Sequence, residues 1–161
     1  MTLTTYCGRR SAGFTMVELL VTIAIAAILA TVAVPSFSTL IASQRAKTAG
    51  SELFASLLKA RSDAIMRNAN VTLAPLVAGA WNKGWQILDP ANNVLESHGA
   101  LASVAVTPAS GAGVTYRPSG RVLAGGTPSF LITTTSGSST HYQCISLDLG
   151  GRPYMQAANT C

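Results

Sequence analysis

The apolar positions of this chain fall into three regimes. From Phe14 to Val34 the sequence reads FTMVELLVTIAIAAILATVAV, with Glu18 as its one charged residue. A helix of that run, rising about 1.5 Å per residue, is roughly 32 Å long, close to the ~30 Å hydrocarbon core of a bilayer. A helix apolar on every side needs lipid or a large protein around it, and 161 residues leave no room for the second. The pattern therefore predicts a transmembrane helix over residues 14–35. Beyond it the periodicity turns one-sided. Leu53, Phe54, Leu57, Leu58, Arg61, Ala64 and Ile65 recur at three- and four-residue steps, while Glu52, Lys59, Asp63 and Arg67 fall mostly on the other side. This predicts an amphipathic helix ending near Asn68 to Asn70, in which Gly50 is a candidate bend. On this pattern Arg61 and Arg67 read as an exposed charged face.

From Val71 the text alternates between apolar and polar positions. Val71 to Leu76, Trp85 to Leu88, Val94 to Ser97, Val104 to Thr107, Val114 to Arg117, Phe130 to Thr134, Tyr142 to Leu149 and Pro153 to Gln156 are candidate strands, punctuated by Gly, Pro, Asn and Ser. Ala109 to Gly113 and Ser136 to Thr140 read as exposed loops. Short strands joined by turns imply a mainly antiparallel sheet, and the one-sided helix supplies the apolar face that such a sheet has to bury. The expected fold class is α+β, a long N-terminal helix packed on a mainly antiparallel β-sheet head formed within residues 36–161.

What precedes the apolar run changes the picture. Residues 1–13 end in GRRSAG, so the apolar region follows the small residue Gly13. In an ordinary secretory signal it comes before the cleavage site and is removed. Cleavage after Gly13 instead leaves the helix on the mature protein. Arg9 and Arg10 hold the N-terminus in the cytoplasm and send the C-terminal part across the membrane. A twin-arginine export signal and a lipid anchor at Cys7 are weaker readings, since the pair abuts the span and no apolar region precedes the cysteine.

Composition adds one small domain beyond the span: 48% of residues are hydrophobic and 11% charged, with much of the apolar excess in the first helix. The formal charge of +5 falls to +3 without Arg9 and Arg10. From Asn70 onward Lys83, Arg117, Arg121 and Arg152 face Asp89, Glu96 and Asp148, which makes no broad polyanion-binding field. Cys144 and Cys161 remain in a domain facing an oxidising compartment, so a disulfide is expected, closing a loop worth roughly 3 kcal/mol. A metal site on His141 and Cys144, with only His98 besides, is weakly signalled. No nucleophile elbow or phosphate-cradling glycine motif is present, so neither an enzyme nor a cofactor is expected. Trp81 and Trp85 invite a ligand-stacking reading, but Trp85 at the head of an apolar strand reads as core.

Gly13-Phe14-Thr15-Met16-Val17-Glu18-Leu19-Leu20 resembles the type III signal of type IV pilins and type II secretion pseudopilins. The resemblance implies that a prepilin peptidase cuts between Gly13 and Phe14 and methylates Phe14. It also implies that Glu18 pairs with a neighbouring subunit's N-terminus during assembly. A carboxylate inside hydrocarbon costs a few kcal/mol, which fits a residue kept for a task. Pro35 stands where many family members have a helix-kinking proline. Leu58 to Asn68 with Val71-Thr72-Leu73, and Trp81-Asn82-Lys83-Gly84-Trp85 with Asp89 and Asn92-Asn93, resemble the GspH/FimT minor pseudopilin subfamily. Leu149-Gly150-Gly151-Arg152-Pro153-Tyr154 is similar to the Gly-Arg-x-Arg signature of the FimT branch, whose arginines are implicated in DNA capture. Here Tyr154 replaces the second arginine, leaving one phosphate contact and one side chain able to stack on a base.

The expectation is thus a minor pilin-like subunit of a secretion pseudopilus or a type IV pilus. Its implied partners are prepilin peptidase, other pilins or pseudopilins, an inner-membrane assembly platform and the inner membrane itself, with its head in the periplasm. The competing readings are a DNA receptor for uptake, with weak DNA binding through Arg152 and Tyr154, and a membrane-anchored periplasmic enzyme.

Overall fold

A computed structural model of the chain describes residues 13–109, 113–123 and 127–161. The leader through residue 12, with Cys7, Arg9 and Arg10, lies outside the described residues, as do positions 110–112 of the first glycine-rich loop. Two compact units divide the chain, Met1–Ser36 and Phe37–Cys161. The helix α1 (Met16–Arg67) contributes to both and is helical without interruption across Pro35.

In the first unit Thr15 caps α1, its Oγ1 accepting the backbone N–H of Glu18 at 3.2 Å. Thr15 and Glu18 stand at the spacing of a capping box, which satisfies a donor that the first turn leaves unpaired. Further along, Thr22 and Thr31 donate their hydroxyls to the carbonyls of Leu19 and Ile28, at 2.8 and 2.7 Å. Those bonds let polar side chains sit in an apolar helix without an unmet donor. The apolar window has a mean hydropathy of 2.5 and none of it is buried by the protein.

In the second unit α1 ends as the Asn68 to Asn70 expectation requires. Asn68 takes the left-handed conformation (φ 51°), the N–H of Ala69 reaches the carbonyl of Ala64 at 3.2 Å, and that of Asn68 reaches Ile65 at 3.3 Å. This is a Schellman ending, in which a short polar residue tolerates the positive φ. The buried stripe of α1 runs Ala42, Ala46, Ala49, Gly50, Leu53, Leu57, Ala60 and Ala64. Small side chains predominate because the strands approach closely. A Cβ on Gly50 would meet Met155 Sδ at 2.9 Å and Gln143 Cβ at 3.6 Å, so this glycine makes room for the sheet.

Four side chains on α1 depart from the expected faces. Leu58 and Ile65 are largely exposed, at the margins of the stripe. Asp63, assigned to the polar side, is buried and takes Lys59 Nζ at 3.1 Å. Arg61, expected as solvated charge, is half-buried and bonded to the head, whereas Arg67 is exposed as expected.

Eight strands follow: β1 (Val71–Pro75), β2 (Trp85–Leu88), β3 (Val94–His98), β4 (Ala105–Pro108), β5 (Val114–Tyr116), β6 (Ser129–Ser136), β7 (Ser139–Leu147) and β8 (Pro153–Gln156). They form two antiparallel four-stranded sheets, ordered β3-β2-β1-β5 and β4-β6-β7-β8, where a single sheet was expected. Alternation marks which residues are strand, but it does not say that the consecutive β4 and β5 pair with different partners. Ser136 to Thr140 is a tight hairpin, with Ser136 paired to Ser139 and Gly137 at φ 57°. A glycine at the first turn position supplies the positive φ that such hairpins need.

The core lies between α1 and the sheets, around Leu53, Leu57, Trp81, Trp85, Phe130 and Ile145. Each large apolar side chain buried there contributes on the order of 1.5–3 kcal/mol. Trp85 is core, as expected: its Nε1 donates to Ser56 Oγ of α1 at 2.8 Å and its ring stacks on His98 at 4.3 Å. Trp81 packs edge-on against Phe130 at 4.7 Å. Neither indole is left open to stack a ligand, since both are 1% exposed.

Candidate functional site

The two regions singled out in the sequence, residues 13–18 and the hairpin ending at Cys161, lie in different units. At the N-terminal one, Gly13 and Phe14 precede the first turn of α1 and are exposed, and nothing lies within 4 Å of a Cβ built on Gly13. The peptide bond between them is accessible. Glu18 follows in the first turn, its side chain exposed and beside the positive end of the helix dipole. The capping role of Thr15 was not read from the sequence, although Thr-x-x-Glu is a signal that could have found it.

The second region is built by two turns. Asp148 to Arg152 joins β7 to β8: Asp148 N–H donates to the Arg152 carbonyl at 3.0 Å, Gly151 N–H to the Asp148 carbonyl at 2.9 Å, and Arg152 N–H to Asp148 Oδ1 at 2.8 Å. Gly151 sits at φ 77°, and a Cβ there would run into the carbonyl oxygen of Gly120. Gly120 belongs to a second turn, closed by Arg117 N–H on the Arg121 carbonyl at 2.8 Å, with its own φ at 75°. Arg61 of α1 ties both together. Its Nε donates to the Gly120 carbonyl at 2.9 Å and its Nη2 to the Gly150 carbonyl at 3.4 Å. From the other side Arg121 Nε donates to the Leu149 carbonyl at 3.4 Å.

Arg152 and Tyr154, two residues apart, are both exposed. Among the described residues the Arg152 guanidinium has no hydrogen bond or ion pair. The structure therefore gathers Arg61, Arg121 and Arg152 around one turn, and sequence reasoning, which counted a single arginine, missed that. Residues 61, 121 and 152 are too far apart in the chain for any spacing rule to connect them. Tyr116, beneath Gly151, has a buried hydroxyl without a partner among the described residues, and burial raises its pKa well above the usual tyrosine range.

At the far end of β8, Cys144 and Cys161 are joined by a disulfide with a Cα–Cα distance of 5.4 Å. Cys144 is fully buried on β7, opposite Gln156, so the bond fastens the last residue to the second sheet. With its sulfur so engaged, Cys144 is neither a free thiolate nor a partner for His141 in metal binding. Among the described residues no three His, Cys, Asp or Glu side chains come together as a metal-holding group.

Comparison with known proteins follows the same division. The prokaryotic N-terminal methylation motif matches residues 8–34, and the model of the type II transport protein GspH matches residues 49–151. No curated protein gives a significant match. Two crystal structures of the type IV minor pilin FimU from Pseudomonas aeruginosa strain PAO1 are similar in fold. One aligns with a TM-score of 0.59 at 22% identity, covering 68% of this chain and 91% of the crystallised chain. The other gives 0.61 at 21% identity, covering 68% and 87%. With a methylation motif ahead of a head that the GspH model spans, on a type IV pilin fold, the chain belongs to the GspH family of minor pilins and pseudopilins.

Proposed function

We propose that this protein is a minor pilin or pseudopilin subunit that acts by assembly and not by catalysis. The observation that carries the reading is the juxtaposition of GFTMVE with a helix whose apolar window is exposed throughout. Such a surface needs lipid before assembly and other apolar helices after it. In this reading prepilin peptidase removes residues 1–13 between Gly13 and Phe14 and methylates Phe14. Residues 14–35 then hold the protein in the inner membrane with the head, residues 36–161, in the periplasm. The assembly platform extracts the helix into a filament, where Glu18 pairs with a neighbouring N-terminal amine. Low dielectric makes that ion pair count, and its geometry has to be good to offset desolvation. Glu18→Ala tests the step: the variant inserts and is cleaved normally but is depleted from sheared filaments. Wild-type levels in filaments remove Glu18 from docking. Whether the filament is a type II pseudopilus or a type IV pilus is decided by which of the two assemblies, each isolated from the same cells, contains the protein.

A second reading, DNA capture, is favoured by the arrangement of Arg121 and Arg152 at one turn with the exposed ring of Tyr154. Phosphate contacts of so few cations give weak, sequence-independent binding, whose salt slope is shallow because it scales with the number of phosphates neutralised. Titration of the detergent-solubilised protein with labelled duplex at two salt concentrations tests it. The reading expects binding at low salt, weakened by Arg152→Ala and strengthened by Tyr154→Arg. Binding indifferent to Arg152 discards it.

A further inference from the structure

Between α1 and the segment joining β3 to β4 lies an open groove of about 430 Å³. Its lining is mostly apolar, Ile41 and Ala49 from the helix and Leu101 and Val104 from the segment, with Arg45, Glu52 and His98 as its ionisable members. The exposed side chains of Phe37, Leu40 and Ile41 continue the same apolar surface along α1. Of these, Glu52 is engaged, its Oε2 lying 3.3 Å from Nε2 of His98. Lining the groove with them is Arg45, which is exposed and, among the described residues, has no hydrogen bond or ion pair.

We infer that this groove is the seat of another subunit's N-terminal pilin helix, with that helix's single carboxylate set against Arg45. The inference rests on the assembly reading above and adds to it a particular surface and a particular cation. Chemistry selects the occupant. An aliphatic groove with one unengaged guanidinium fits a partner that is aliphatic and carries one unengaged carboxylate. The stretch from Phe14 to Val34 has that composition, with Glu18 alone among exposed Leu20, Ile25 and Ile28. Apolar side chains entering the groove leave water or lipid for matching surface, while the carboxylate, costly in hydrocarbon, gains a planar donor able to bind both of its oxygens. A carboxylate has about four acceptor sites, so pairing with Arg45 of one neighbour leaves capacity for the amine of another. An arbitrary soluble peptide is disfavoured, since a segment with several charges would bring them against Ile41, Leu101 and Val104 without partners.

The test places a photoreactive amino acid at exposed Ala102, which lines the groove, in the full-length chain expressed with its assembly machinery. A second chain carries the label at Ser138, in the β6–β7 turn. Filaments are sheared and cross-linked peptides are identified by mass spectrometry. The expected result is adducts from position 102, and none from 138, with peptides that begin at a methylated residue and carry one carboxylate in an apolar run. Arg45→Glu lowers their yield about tenfold, the effect of losing a modest charge contact and gaining a repulsive one, while Arg45→Lys retains most of it. Adducts at 102 with lipid or head peptides only, or a yield indifferent to Arg45→Glu, overturn the inference although the protein is in filaments. Absence of the labelled and unlabelled chains from filaments overturns the assembly reading and this inference with it.

Discussion

Arg61 Nε donates to the carbonyl oxygen of Gly120 at 2.9 Å across 59 residues of sequence. With Nη2 reaching Gly150, one side chain on α1 fixes the two turns that frame Arg152 and Tyr154. Its removal leaves two carbonyls without a donor in a half-buried place, so Arg61→Ala is expected to cost about 1–3 kcal/mol. Arg61→Lys recovers only part, because an ammonium lacks the planar fork that spans two acceptors. Denaturation of the detergent-solubilised protein followed by fluorescence of buried Trp81 and Trp85 measures it. A loss below about 0.5 kcal/mol for Arg61→Ala contradicts the role assigned to these bonds.

Gly151→Ala should cost more than Gly150→Ala. At Gly151 the backbone is at φ 77° and the new methyl meets the Gly120 carbonyl, a combination worth at least about 2 kcal/mol. At Gly150 the nearest atom is Asp148 Oδ1 at 3.1 Å, the end of a side chain that can yield a few tenths of an ångström at the expense of its bond from the Arg152 N–H, and no positive φ adds to the cost. The same fluorescence assay ranks the two, and the reverse order contradicts the packing described.

Tyr116→Phe is expected to be neutral or slightly stabilising at pH 7, since it deletes a buried hydroxyl with no partner among the described residues. Burial raises the folded-state pKa above the unfolded value near 10, so the neutral ring contributes fully below about pH 10 and progressively less as pH rises past it. The wild type should therefore lose stability on titration above about pH 10, and Tyr116→Phe should lose less. At the acid end the sign is opposite. Asp89 is held below its ordinary 3.8 by the Asn93 side chain and then by the Asn93 and Ala91 backbone, so its turn is supported above that value and weakens as pH falls through the lowered pKa. Parallel stability curves for wild type and Tyr116→Phe between pH 9 and 12 contradict the first statement.

Cys161→Ser opens a bridge between residues 17 apart and should lower stability by roughly 3 kcal/mol. Proteolysis should then trim the C-terminal residues beyond β8 first, because the bridge ties the terminus to the sheet. Unchanged stability together with unchanged protection contradicts the anchoring role.

These experiments bear on parts of the molecule that differ in how far the sequence disclosed them. The apolar N-terminal helix, the helix stop at Asn68 and all eight strands follow local rules of length, capping and alternation, and each is visible in a window of a few residues. The division into two sheets depends on pairings such as Leu131 with Cys144 and Val71 with Tyr116, which no local window contains. Gly50 shows the limit at a single residue. Its low helix propensity suggested a bend, whereas the close approach of Met155 and Gln143 gives it a packing role that depends on distant strands. Arg61 and Asp63 mislead for a related reason, since charge predicts exposure unless a partner waits in the fold. The N-terminal motif was legible because its residues are contiguous; the arginine cluster was not, because three separate segments build it.

The central claim, that the chain is processed as a pilin and then assembled, is tested most directly by N-terminal mass spectrometry of this protein recovered from purified filaments. The account predicts a mature chain starting at N-methylated Phe14, with Glu18 as its fifth residue. A chain in the membrane that retains Met1, or one cut on the C-terminal side of Val34 and released from the membrane, contradicts it.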